Sequence, residues 1–180
     1  MLLNTTAGVP KMWRPPTQPL LTPSLQKYQS DGGLVGPFIR PGFRAFQQCS
    51  AAIRAELVGY INQEWSELNE AFINDKWSGG SDILYVWLSE EEHLIGCVAV
   101  DRHNFYPFIS NLFVVPKMRK KGCAKKLIQH GVMCTQSLGF DTSRLWCKKE
   151  LLAWYKGMGW VVDDERDTNG EVIYFLIRHD

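Results

Sequence analysis

The chain of 180 residues has no C-x-x-C pair, and its five cysteines (Cys49, Cys97, Cys123, Cys134, Cys147) are an odd set. That excludes zinc-ribbon and thioredoxin-type motifs and points to reduced thiols rather than a disulfide framework. A surplus of charge is lacking too: 20 Lys and Arg face 19 Asp and Glu, so no global field draws the molecule to nucleic acid or an acidic bilayer. No apolar run approaches the roughly 18 residues of a membrane span, and Met1-Leu2-Leu3 is too short and uncharged to open a signal peptide. The expectation is a cytoplasmic protein, neither secreted nor integral. Residues 1–30 contain no Asp or Glu, as transit peptides do, which leaves organellar import open; Pro10, Pro15, Pro16, Pro19 and Pro23 oppose the amphipathic helix such a peptide needs. Missing as well are the G-x-x-x-x-G-K-[ST] of an NTPase and the G-x-G-x-x-G of a dinucleotide fold.

What is present suits one globular domain with a core: 45% hydrophobic and 22% charged residues. Seven of the nine prolines fall before residue 42, and residues 1–36 show neither helical nor strand periodicity, so they read as an extension preceding a domain over 37–180. From Phe43, apolar residues at Phe46, Cys49, Ile53, Leu57, Ile61 and Leu68 recur at three- and four-residue steps, which predicts one long helix or two broken near Gly59. Ser78-Gly79-Gly80-Ser81 closes that region. Strands are expected at Ile83 to Leu88, Leu94 to Asp101 and Phe108 to Val115, the first two forming a hairpin. A helix with the apolar face Ala124, Leu127, Ile128, Gly131, Cys134, Leu138 follows, capped by Gly139. A strand (144–147), a short helix (150–158) and two closing strands (159–162 and 172–177) complete an α+β or mixed α/β order.

The most informative stretch runs from Leu112 to Lys126: an apolar strand, Pro116, a basic loop, then Gly122 at the first turn of a helix. A helix start offers unpaired N–H groups and the positive end of the macrodipole, and glycine admits an anion close to the backbone. Six cations within ten positions (Lys117, Arg119, Lys120, Lys121, Lys125, Lys126) suit a ligand with several phosphates. The same composition also describes a solvated face or a nucleic-acid patch.

Leu112, Val114, Pro116, Arg119, Gly122 and Ala124 match, in register, the L-x-V-x-P and [Q/R]-x-x-G-x-[G/A] signature of the GCN5-related N-acetyltransferase (GNAT) superfamily, which the chain resembles. Trp154-Tyr155-Lys156-Gly157-Met158-Gly159-Trp160 resembles the family's second motif, and the likeness extends over about residues 83–177. The resemblance implies a GNAT-type acyl-CoA N-acyltransferase fold, with a mostly antiparallel twisted sheet flanked by helices, and acetyl transfer from acetyl-CoA to an amine without a metal. It places the pantetheine amides along the backbone of Leu112, Phe113 and Val114. The pyrophosphate falls at the backbone N–H groups of Arg119, Lys120, Lys121, Gly122, Cys123, Ala124 and Lys125. Tyr155 takes the position of the general acid for the departing thiolate, and Val114 N–H that of the oxyanion donor. Cys123 reads as a small hydrophobe there.

Two departures stand out. The Asn common seven residues before this Tyr is Lys148, and Phe108 and Ser110 stand where many relatives carry an acidic base. Ser110 through a water, or Asp101 and His103, are the available bases. Trp65, Trp77, Phe105 and Tyr106, with Asp163-Asp164-Glu165 and Asp167, suit a small cationic amine or polyamine ahead of a protein lysine or N-terminus; a solvated acidic turn has the same composition. The expected protein is a monomer or homodimer acting on acetyl-CoA and an amine acceptor, with no nucleic-acid or membrane partner. A CoA-binding module of weak activity is the alternative.

Overall fold

The computed structural model describes residues 42–65, 82–101, 107–168 and 170–179. The proline-rich stretch over 1–36, Leu68, the Ser78-Gly79-Gly80-Ser81 turn, Trp77, His103, Phe105 and Tyr106 lie outside them.

The chain opens on a short strand, β1 (Phe43–Ala45), where the periodicity predicted helix. Phe43 pairs with Trp87 of β2, stacks on that ring at 5.4 Å and lies 3.9 Å from the His130 ring. Tertiary contacts thus override a helical apolar spacing. A single 3-10 turn (Phe46–Gln48) follows, and α1 (Ala51–Glu64) starts only after Ser50, whose hydroxyl accepts from Ile53 N–H at 3.3 Å. The helix runs unbroken through Gly59, and Leu57, Val58 and Ile61 form its buried stripe.

Strands β2 (Ile83–Leu88), β3 (Leu94–Asp101) and β4 (Phe108–Val114) form an antiparallel meander. Helix α2 (Cys123–Ser137) crosses to β5 (Thr142–Lys148), and α3 (Lys149–Lys156) follows β5 with no loop between. The closing hairpin, β6 (Val161–Thr168) and β7 (Glu171–His179), is longer than its apolar residues indicated, because the acidic run continues the strand. Seven strands make one sheet in the order β1-β2-β3-β4-β5-β7-β6, antiparallel except at β4–β5. The strands expected at 83–88 and 94–101 stand as read from the sequence.

Two large apolar clusters and a small third one, Trp146 with Ile173 and Phe175, cover the sheet. On one face α2 and α3 bury Leu127, Ile128, Leu151 and Tyr155 against Val98, Leu112 and Leu145. On the other, α1 buries Leu57 and Ile61 against Leu84, Cys97 and Phe113. Gly96 of β3 is required by this packing: a Cβ there would lie 2.3 Å from the Phe113 carbonyl oxygen.

Candidate active site

The site is built where β4 and β5 separate. Their parallel pairing consists of Phe108 with Arg144, and further along both strands no pair is formed. The cause lies in β4 itself. Between Cys97–Phe113 and Ala99–Ser110 the register slips, leaving β4 one residue longer than β3, and Asn111 sits there with φ +49°. Such a bulge bends and twists its strand, carrying the rest of β4 away from β5. Val115 N–H donates to Ile95 O at 3.0 Å, so by the alternation of an antiparallel ladder the N–H and C=O of Val114 turn away from β3, toward the opening. Leu112 and Val114 are buried in one cluster with Cys123, Cys147 and Tyr155.

At the end of β4 a 3-10 turn (Pro116–Met118) leads to Lys120 at φ +61° and Gly122 at φ +78°, the N-cap of α2. Alternating left-handed positions gather successive N–H groups into a concavity for an anion. Arg119 N–H donates to Pro116 O at 3.2 Å and Lys126 N–H to Gly122 O at 3.3 Å, while those from Lys120 through Lys125 have no acceptor among the described residues. The open run therefore starts one residue later than the sequence motif placed it. A Cβ at Gly122 would meet no atom within 4 Å, so its glycine serves the backbone angle and whatever approaches from outside.

The six cations divide. The Arg119 guanidinium is bonded to Glu64 at the end of α1, its Nε donates to Val114 O at 3.0 Å, and it lies 5.7 Å from the Phe113 ring centroid. It fastens the turn to α1 and β4 rather than facing a ligand. Lys126 lies over the Trp87 ring at 5.6 Å. Lys117, Lys120, Lys121 and Lys125 are exposed around the turn. Cys123 is buried at the first position of α2, which fits a small apolar residue.

Tyr155, on α3, is 1% exposed and packs edge-on to Trp154 and Trp160 at 4.8 and 6.1 Å. Burial, with a smaller push from Cys147, raises its hydroxyl well above the usual phenol range and keeps it protonated at neutral pH. Burial also pushes the Cys147 thiol up to about 12. Lys148 is directed elsewhere, pairing with Glu171 at 2.8 Å on the surface.

Nor does the acidic run form an open cluster. Arg144 takes Asp163 at 2.5 Å, Arg166 takes Asp164 at 2.8 Å, and Asp167 accepts from Gly170 N–H at 2.7 Å. These residues lie along edge strand β6, beyond β7 from the opening. Trp65 is buried and meets the Phe113 ring edge-on at 6.4 Å, a packing contact. Ser110 is buried on β4, and its hydroxyl donates to Asn111 Oδ1 at 2.9 Å. Asn111 itself escaped the sequence reading, although an Asn between Ser110 and Leu112 in an otherwise apolar strand was a visible signal. Among the described residues, no group of three or more His, Cys, Asp or Glu could hold a metal ion, and no helix is long and apolar enough to cross a membrane.

Comparison with known proteins agrees with this geometry. Residues 81–162 match the family described as Acetyltransferase (GNAT) domain. The fold is similar to that of an aminoglycoside 6'-N-acetyltransferase complexed with coenzyme A, with a TM-score of 0.67 at 10% identity over 76% of this chain and 96% of that one. The spermidine/spermine N-acetyltransferase SpeG from Vibrio cholerae, in mutant forms, is similar with a TM-score of 0.60 at 16% identity, over 76% and 93% of the two chains. A GNAT acetyltransferase from Elizabethkingia anophelis with acetyl-CoA bound gives 0.55 at 15% identity, over 78% and 100%. No curated protein matches the chain by sequence.

Proposed function

We propose that the protein is an acetyl-CoA-dependent N-acetyltransferase acting on a primary amine, with a small cationic amine or polyamine ahead of a protein lysine or N-terminus. One observation carries the reading: a run of unengaged N–H groups from Lys120 to Lys125 lies at the end of a strand whose far edge has parted from its neighbour. The turn fits a pyrophosphate, with Lys117, Lys120, Lys121 and Lys125 around it for further phosphate charge. The edge offered by Leu112 and Val114 fits the amides of a pantetheine arm, whereas the N–H and C=O of Phe113 turn back to β3. That two structures sharing the fold hold CoA or acetyl-CoA supports the same assignment.

Bound acetyl-CoA supplies a thioester whose C–S bond breaks as the amine nitrogen bonds to the acetyl carbon. Val114 N–H, turned toward the opening, donates to the carbonyl oxygen as it gains charge. Tyr155 stays protonated because burial disfavours its phenolate, so it can donate to the sulfur as negative charge builds there. A phenol raised above its usual pKa is a weaker acid than an alkyl thiol near 8.5, so Tyr155 stabilises the thiolate through a hydrogen bond more than by complete proton transfer. The proton lost by the amine goes to water, with Ser110, Asp101 or His103 as the candidate relay. The acceptor preference rests on the aromatic and acidic composition of the chain, and the amine-acetylating neighbours are consistent with it.

The absence of a carboxylate at Phe108 and Ser110, and the engagement of Lys148 with Glu171, favour a second reading in which the domain binds CoA with little turnover. One experiment separates the two. The protein is incubated with acetyl-CoA and a panel of polyamines, aminoglycosides, peptides and small amines, and acetylated products are detected by mass spectrometry. A mass gain of one acetyl group on a small cationic amine supports the enzyme; cofactor binding with no acetylated product supports the module.

A further inference from the structure

Asn111 combines two unfavourable features at one residue. Its backbone is left-handed at φ +49°, where glycine would be unstrained, and its side chain is fully buried with no partner for Nδ2 among the described residues. A buried amide donor is costly to leave unpaired, and it stands in a strand whose neighbours Ile109, Leu112 and Phe113 are apolar core. Local costs of this kind are retained where function requires them. The position agrees. Asn111 sits in the bulge at which β4 leaves β5, it immediately precedes the Leu112 to Val114 edge, and it lies three residues beyond the Phe108–Arg144 pair, where the two strands are no longer paired. Ser110 Oγ holds Oδ1 at 2.9 Å, which fixes the carboxamide and leaves the NH2 end to serve another acceptor.

A donor without a partner selects its ligand by chemistry: it needs an oxygen lone pair. Among the groups that an acyl thioester and an amine bring together, the acyl carbonyl oxygen is the acceptor that becomes more negative during reaction. We infer that Asn111 Nδ2 donates to the acetyl carbonyl oxygen beside Val114 N–H, a second oxyanion donor oriented by Ser110. The inference rests on the acetyl-CoA reading of the site.

The test compares acetyl-CoA with free CoA, which lacks that carbonyl, by titration calorimetry on wild-type protein, Asn111→Gly and Asn111→Asp. Glycine removes the donor and the backbone strain together, so the melting temperature of Asn111→Gly should be unchanged or higher. Its affinity for CoA should hold while that for acetyl-CoA falls roughly fivefold, the scale of one neutral hydrogen bond. On any accepted amine its kcat should fall by about 10²-fold, as for loss of one oxyanion donor. Asn111→Asp keeps the acceptor for Ser110 but sets an anionic oxygen against the carbonyl, and should lose acetyl-CoA more severely. Should the glycine variant misfold, the aspartate variant carries the comparison. An unchanged acetyl-CoA to CoA ratio, or an equal loss of both ligands, would overturn the inference in favour of a purely structural Asn111. Wild-type protein that binds neither ligand would overturn the cofactor reading as well, which keeps the two failures apart.

Discussion

Arg119 holds three parts of the molecule at once: Glu64 of α1, the carbonyl of Val114 and the face of Phe113. The motif arginine therefore shapes the turn before α2 by anchoring it, and its charge is met inside the protein. Glu64→Gln should cost about 1.5 to 3 kcal/mol, the range for a hydrogen bond to a charged group, since both side chains are largely shielded from solvent. Arg119→Lys should cost a similar amount, because an ammonium cannot reproduce the fork that reaches Glu64 and Val114 together. Urea melts measure both, and wild-type stability in the two variants would remove the anchor. At Tyr155 the ring packs against Trp154 and Trp160, and the proposed chemistry rests on the hydroxyl alone. Tyr155→Phe should leave folding and cofactor affinity nearly unchanged and lower kcat toward the small end of the 10²- to 10⁴-fold range for a general acid, with KM little altered. Steady-state kinetics on an accepted amine decide this, and wild-type kcat would return Tyr155 to the role of a core aromatic.

Helix α1 and strand β4 show what sequence pattern can and cannot carry. Gly59 suggested a break, yet a Cβ there would meet nothing within 4 Å, and the helix passes through it. Gly59→Ala should accordingly stabilise the protein by about 0.5 to 1 kcal/mol, read from thermal or urea melts. A destabilised variant would show that the glycine has a purpose the helix does not explain. The strands β2, β3 and most of β4, the Gly122 turn and the Gly139 cap were legible because short apolar runs and glycines act locally. Strand β1 was not, since Phe43 to Ala45 pairs with β2 across some forty residues and its apolar spacing matches a helix equally well. The bulge was hidden for a similar reason: a register slip belongs to two strands, and only the Asn at its apex is visible in one. The acidic run misled in the opposite direction. Asp163 and Asp164 look like a binding cluster until Arg144 and Arg166 are found against them.

For the whole molecule, the buried thiols predict how stability depends on pH. Burial pushes Cys134 up to about 11 and Cys147 up to about 12, whereas an unfolded thiol ionises near 8.5. Between those values the unfolded chain releases protons that the folded one keeps, so stability should fall as pH rises above about 9, by up to about 1.4 kcal/mol per pH unit for each such thiol. Urea melts at pH 7.5 and pH 10 check the sign; equal stability at both would mean that these thiols ionise in the folded protein. Six of the chain's 20 Lys and Arg fall in the Lys117 to Lys126 segment, which concentrates positive charge there although the chain as a whole is nearly neutral.

The central claim is that this turn and the parted edge of β4 bind acetyl-CoA. Anything that binds only the folded state raises the melting temperature through linkage. The most direct measurement is therefore the thermal melt of wild-type protein and Gly122→Glu with acetyl-CoA, CoA and pantetheine, the last lacking the pyrophosphate. The account predicts a concentration-dependent rise with acetyl-CoA and CoA, a much smaller one with pantetheine, and no rise in a folded Gly122→Glu variant, where a carboxylate at φ +78° would stand against the phosphates. Wild-type melting curves unmoved by millimolar acetyl-CoA would contradict it.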